Sequence, residues 1–180
     1  MSSNRQWILT RRPVGDIRDG DALDLPVETG RATLAAQNCL FNIFTREHLA
    51  RALGEVHRVL RPGGKLVLSD PVATRPIPAH LAADDRLRAM CLSGALTLDA
   101  YLEALVAAGF GTIEVRAKRP YRLLDAKRYG LEDSLLLESV EVCAIKDPIP
   151  GDGACVFTGR AAIYVGEDEA LDDGKGHVLL

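Results

Sequence analysis

No apolar stretch in the 180-residue chain approaches the roughly 20 residues that a membrane-spanning helix needs. Long basic runs are also missing, and the net charge is -3, which argues against a nucleic-acid surface. The basic clusters at Arg11 and Arg12 and around Lys118, Arg119 and Arg122 read as solvated faces. Cysteine is scarce: there are four, widely spaced, with no CxxC pair. That rules against a disulfide framework or a typical zinc site. The opening "MSSNRQWILTRRPVGD" has too short an apolar core for a secretory leader, so the expected location is cytoplasmic. Repeats and low-complexity tracts are absent. What remains is 47% hydrophobic and 26% charged, the mixture of one soluble domain with a real core.

Residues 1–14 carry no clear period and stay unassigned. "RATLAAQNCLFN" reads as a short strand. A helix follows, with Thr45 as N-cap, Glu47 in the first turn, and Leu49, Leu53, Val56 and Leu60 on one face. "RPGG" stops it, because Pro62 cannot continue a helix and Gly63 and Gly64 supply a turn. "KLVLSD" is the apolar run of a buried strand. A second helix is expected over about 78–90, and a third in "TLDAYLEALVAAGF", with Leu98, Leu102, Leu105 and Val106 as its stripe and Gly109 at its end. "TIEVRAKRPYRLL", "LLLESVEVCAIK" and "CVFTGRAAIYVG" are further strand candidates. Alternating strands and helices predict an α/β fold with a mostly parallel sheet.

Ligands of such sheets bind outside the carboxyl ends of the strands. Asp21, then Asn38 with Cys39, then Asp70 fall at such ends. Cys91, in "RAMCLSGAL", has two readings, a small packed hydrophobe or a thiol held for chemistry. Cys143 sits inside a strand and reads as structural, while Cys155 is a loop cysteine, ordinary or a third thiol. His48 and His57 read as exposed helical residues, and Asp70 also reads as a simple cap before Pro71. "RPGG" closes a helix instead of opening one, so it is not a phosphate cradle.

"GDALDLP", "QNCLFN", "EVHRVLRPGGKLVLSD" and "LVAAGF" together resemble the second half of a class I S-adenosylmethionine-dependent methyltransferase. "NCLFN" followed about fifty residues later by "CLSGAL" resembles the arsenite methyltransferase family, as does the tail segment "VFTGRAAIYVG". The resemblance implies an α/β fold: the C-terminal half of a doubly wound sheet over 15–148, with a small C-terminal extension over 149–180. It also implies roles. Asp21 and Ala22 match the loop that reads the adenine of S-adenosylmethionine, and Asn38 a residue near its methionine part. Cys39 and Cys91 match the thiolates that bind trivalent arsenic, a soft and thiophilic centre. Both must lose their protons to bind, so affinity is expected to depend on pH.

The Gly-rich cofactor loop and the further N-terminal cysteines of that family have no counterpart in this sequence. The strand at 31–37 would then be an exposed sheet edge, open to a second copy or a complementing chain. Weak cofactor binding by the isolated chain is expected. The function implied is methyl transfer from S-adenosylmethionine to arsenite or its thiol adduct, in a truncated or split form. Two alternatives stand beside it: a non-catalytic remnant that binds arsenite or a partner chain, and a methyltransferase fragment with another small-molecule substrate.

Overall fold

A computed structural model describes residues 27–159 together with the short strands Leu171–Asp172 and Val178–Leu179. Strand β1 (Ala32–Asn38) leads through a 3-10 turn (Phe41–Ile43) into helix α1 (Arg46–Val59). Strand β2 (Leu60–Ala73) is followed by α2 (Ala79–Ala82), α3 (Asp85–Ala89) and α4 (Leu98–Ala107). Next come β3 (Thr112–Leu124), α5 (Ala126–Tyr129), β4 (Leu135–Ile145) and β5 (Cys155–Phe157). The five strands form one sheet in the order β1-β2-β4-β3-β5. The pair Leu171–Asp172 and Val178–Leu179 forms a separate two-stranded ladder.

Four of the five strands, β1, β2, β3 and β5, point the same way, so the sheet is mostly parallel, with β4 the exception. Only β1–β2 and β3–β5 pair in parallel; β4 runs antiparallel to both neighbours, β2 and β3. The reason is the short connection from β3 through α5, which returns the chain as a long hairpin and inserts β4 between strands that otherwise point one way. Asn38 and Asp70 still meet at one edge, because β1 and β2 are the parallel pair and Asn38 is registered with Ser69.

Helix α1 starts where its cap was expected. Thr45 Oγ1 accepts from the His48 amide, and Leu49 and Leu53 are buried on the sheet-facing side. The helix ends at Val59, and Leu60 opens β2 instead of extending the stripe. "RPGG" loops out between the β1–β2 pairs at Leu60 and Lys65, with Gly63 at φ +71°. Lys146 closes this junction: its ammonium donates to the carbonyls of His57 at 2.6 Å and Leu60 at 2.8 Å, the negative end of the helix dipole. His57 is not the exposed residue the helix pattern implied. Its ring meets Phe110 edge-on at 5.3 Å, and burial with the nearby Lys146 charge lowers its pKa. His48 is likewise half-buried.

The single helix expected over 78–90 is two short ones. Asp84 breaks it by taking the N-cap position of α3, its carboxylate accepting from the amides of Arg86 and Leu87. Helix α4 matches the third expected helix, capped by Thr97, with Gly109 beyond its end at φ +101°. The main core lies between α1, α4 and the sheet, where Leu53, Leu66, Leu68, Leu105, Phe110 and Ile113 are essentially inaccessible. A smaller cluster of Leu92, Ala95, Leu124, Leu135 and Leu137 anchors the loop ahead of α4.

Candidate functional site

β1 ends at Asn38, short of the strand length expected, because the next residue turns left. Cys39 has φ +57°, and Cys91 has φ +59°. Among the described residues these two are the only non-glycine residues with positive φ. Such a conformation costs an L-residue about 1–2 kcal/mol.

Cys91 takes that conformation for a local reason. It follows Met90, the C-cap of α3. Its amide donates to the Arg88 carbonyl at 2.9 Å, and the Leu92 amide to the Leu87 carbonyl at 2.9 Å. This is a Schellman closure, and Cys91 fills the slot usually given to glycine. Leu92, fully buried, packs in the same cluster as Leu87 and fixes the turn.

Cys39 is held by a different device. Its amide donates to the Ser69 carbonyl at 2.8 Å, tying the turn to β2. The Leu40 amide donates to Gln37 Oε1 at 2.9 Å, so a side chain supplies the acceptor that closes the turn. Gln37 Nε2 donates to Asp70 Oδ2. Tyr101, on α4 and 1% exposed, donates its hydroxyl to the same oxygen at 2.6 Å.

The two cysteine-bearing segments meet. Cys91 Sγ donates to the Cys39 carbonyl at 2.8 Å, across 52 residues of sequence. Gly94 permits the approach: a Cβ there would lie 1.8 Å from the Asn42 carbonyl oxygen. Asn42 is buried and donates Nδ2 to the Pro71 carbonyl at 2.6 Å, which fastens the 3-10 turn to β2. Its Oδ1, like Oδ1 of Asp70, is buried without a hydrogen-bond partner among the described residues.

Burial controls the protonation of this cluster. It pushes the Asp70 carboxyl up to about 6, against the opposing hydrogen bonds from Tyr101 and Gln37. The Cys91 thiol is pushed up to about 12 by burial, then by hydrogen bonding and charge from Cys39 and by the charge of Asp70. Tyr101 is raised well above its ordinary value by burial and by Asp70. Asp70 is therefore more than a cap before Pro71.

The remaining residues fall elsewhere. Cys143 is buried in β4. Cys155 opens β5 at the opposite edge of the sheet from β1, four strands or about 19 Å away, so it is no third thiol to this pair. Asp21 and Ala22 lie outside the described residues. No cluster of three or more His, Cys, Asp or Glu able to hold a metal ion occurs among the described residues. Beside the thiol pair, a cleft of about 330 Å³ opens between Phe44, Arg46, Ile77, Arg88, Ser93 and Leu96; neither Cys39 nor Cys91 lines it.

Sequence reading missed Gln37, Asn42, Gly94 and Tyr101. A signal existed for the last: a hydroxyl-bearing aromatic within the apolar run of α4 needs a buried partner.

The profile of the "Methyltransferase domain" family matches residues 3–68. An arsenite methyltransferase of Halobacterium salinarum is 33% identical over 57% of this chain and 26% of its own. The fold is similar to that of CrArsM, an arsenic(III) S-adenosylmethionine methyltransferase from Chlamydomonas reinhardtii. That match has a TM-score of 0.55 at 23% identity and covers 70% of this chain and 40% of that one. The fold is that of class I methyltransferases, and the sequence is similar to theirs over residues 3–68. The likeness to arsenite methyltransferases recurs in the protein of Aquipseudomonas alcaligenes, 28% identical over 81% of this chain and 41% of its own. This methyltransferase relative thus spans between a quarter and two fifths of the curated proteins it matches. Asn38 is exposed at the carboxyl end of β1, where α/β sheets receive ligands. Among the described residues no membrane-length apolar helix occurs.

Proposed function

We propose that this chain binds trivalent arsenic between Cys39 and Cys91 and presents it for methyl transfer from S-adenosylmethionine. The observation that carries this reading is the meeting of the two left-handed cysteines at the edge where Asn38 and Asp70 also sit. Packing alone gives no reason to place cysteine twice where glycine is the easier residue. The likeness to arsenite methyltransferases gives one.

Binding is a ligand exchange. Neutral arsenite carries three hydroxyls; each of two thiols replaces one, forming an As–S bond while its proton leaves with hydroxide as water. One hydroxyl remains on arsenic. Cys91, protonated through neutral pH, brings the proton this exchange needs. That balance offsets the pH dependence expected from thiol deprotonation alone.

S-adenosylmethionine, when bound, supplies an electrophilic sulfonium methyl group. Asn38 would hold its amino-acid end, and Asp21 and Ala22 its adenine. Arsenic keeps its lone pair when held by sulfur, so no base on the chain has to prepare the nucleophile. The task of Cys39 and Cys91 is positioning.

One observation favours the second, non-catalytic reading. β1 is the outer strand among the described residues, and Leu34 on it is 56% exposed. Such an edge suits a further strand, from a second copy or a complementing chain. The two readings separate in one assay. The chain is incubated with arsenite and methyl-labelled S-adenosylmethionine. Labelled methylarsenical that vanishes in Cys39→Ser and Cys91→Ser supports catalysis. Arsenite binding with no methylated product supports the binding module.

A further inference from the structure

Cys39 must be kept in a conformation that its own backbone disfavours, and the amide of the residue after it is closed by a side chain rather than by the main chain. The acceptor is Gln37 Oε1. The other end of the same amide group, Nε2, donates to Asp70. Asp70 is fully buried, and the oxygen it offers to Gln37 also receives the Tyr101 hydroxyl. Tyr101 is fixed by burial on α4, a helix anchored in the main core. A continuous chain of hydrogen bonds therefore runs from the rigid interior to the turn that carries the thiol.

We propose that Tyr101, Asp70 and Gln37 are positioning residues, a strut that fixes the Cys39 turn so that its thiol and that of Cys91 grip one arsenic atom together. The inference rests on the thiol-site reading above and deepens it. None of the three touches arsenic; they act through the backbone of residues 39 and 40. Packing needs alone do not account for the arrangement. A phenylalanine at 101 would fill the core equally well, and Gln37 is only half-buried, so neither polar group is demanded by the apolar core.

The test uses the full chain with inorganic arsenite and no added thiol. Two substitutions break the strut at opposite ends: Tyr101→Phe removes one hydroxyl, and Gln37→Met keeps length without the amide. Affinity is measured by calorimetry, and the number of sulfur atoms around arsenic by X-ray absorption at saturation. Wild type is expected to show two sulfurs. Both variants are expected to bind about tenfold more weakly, the loss usual for a hydrogen bond to a charged group, with fewer than two sulfurs on average. If Tyr101→Phe does not fold, Gln37→Met, at a half-buried site, carries the test. Two sulfurs in Gln37→Met, whatever its affinity, would overturn the strut and leave the thiol site standing. Fewer than two sulfurs in wild type would overturn the thiol site itself, and the strut with it.

Discussion

Cys91 donates its thiol proton to the carbonyl of Cys39 at 2.8 Å, and both residues stand in left-handed backbone. Neither conformation follows from the other. Cys91 closes a helix and Cys39 closes a strand, by unrelated hydrogen-bond patterns. Strain held at two independent turns that converge on one spot is the pattern of a site maintained against stability.

The strain at Cys91 can be measured. Cys91→Ala keeps the unfavourable φ and loses the thiol; Cys91→Gly loses the thiol and relieves the φ. The glycine variant should be more stable than the alanine variant by about 0.5–1 kcal/mol, opposite to their usual order within a helix. Urea denaturation of the pair reads this directly. An alanine variant of equal or greater stability would show that the turn carries no strain.

Gly94 should tolerate no side chain. Gly94→Ala drives a methyl into the Asn42 carbonyl, which lies 1.8 Å from the ideal Cβ position. Backbone on both sides must move, at a cost of about 3 kcal/mol. The same movement draws the Cys91 segment away from the 3-10 turn, so arsenite affinity should fall even where the variant stays folded. Thermal melts and arsenite titration on Gly94→Ala check the two effects separately.

Stability should fall as Asp70 ionises. Its folded pKa, about 6, lies above the ordinary 3.8, so the folded state holds the proton more tightly than the unfolded state. The resulting stabilisation is full below about pH 4 and lost as pH rises through about 6, on the order of 3 kcal/mol in all. Asp70→Asn removes this dependence. The stability of the asparagine variant relative to wild type should therefore rise between pH 4 and pH 7, as followed by denaturant midpoints. A constant difference across that range would mean that Asp70 is not held protonated.

Thiol chemistry should discriminate among the cysteines. Cys155 is exposed, whereas Cys91 is buried with its thiol pushed up to about 12. Only the thiolate alkylates readily. Iodoacetamide at pH 7.5 should modify Cys155 first and leave Cys91 largely intact, as peptide mass spectrometry would record. Cys91 reacting as fast as Cys155 would contradict the burial that the site depends on.

Local signals carried much of the fold. Thr45, the Leu49 and Leu53 stripe and the Gly109 terminus are written in spacing and capping residues, and each appears where expected; the helix stops at Val59, ahead of "RPGG", which lies within β2. The direction of β4 was not legible, because pairing partners are chosen by tertiary packing and an apolar strand reads the same in either direction. The break at Asp84 was hidden because an aspartate inside a helical pattern reads equally as surface charge or as a new cap. At the site, the cysteines were visible as a spaced pair. Their left-handed backbone was not, because glycine is the residue that usually signals such a turn; the Gln37–Asp70–Tyr101 chain was not, because its bonds join residues 33 and 31 positions apart.

Arsenite titration of the whole chain by calorimetry tests the central claim most directly, with Cys39→Ser and Cys91→Ser beside wild type. Wild type should bind one arsenic per chain, and each single substitution should weaken binding about a hundredfold or more, because one sulfur cannot replace the joint grip of two. Unchanged affinity in either variant would contradict the account.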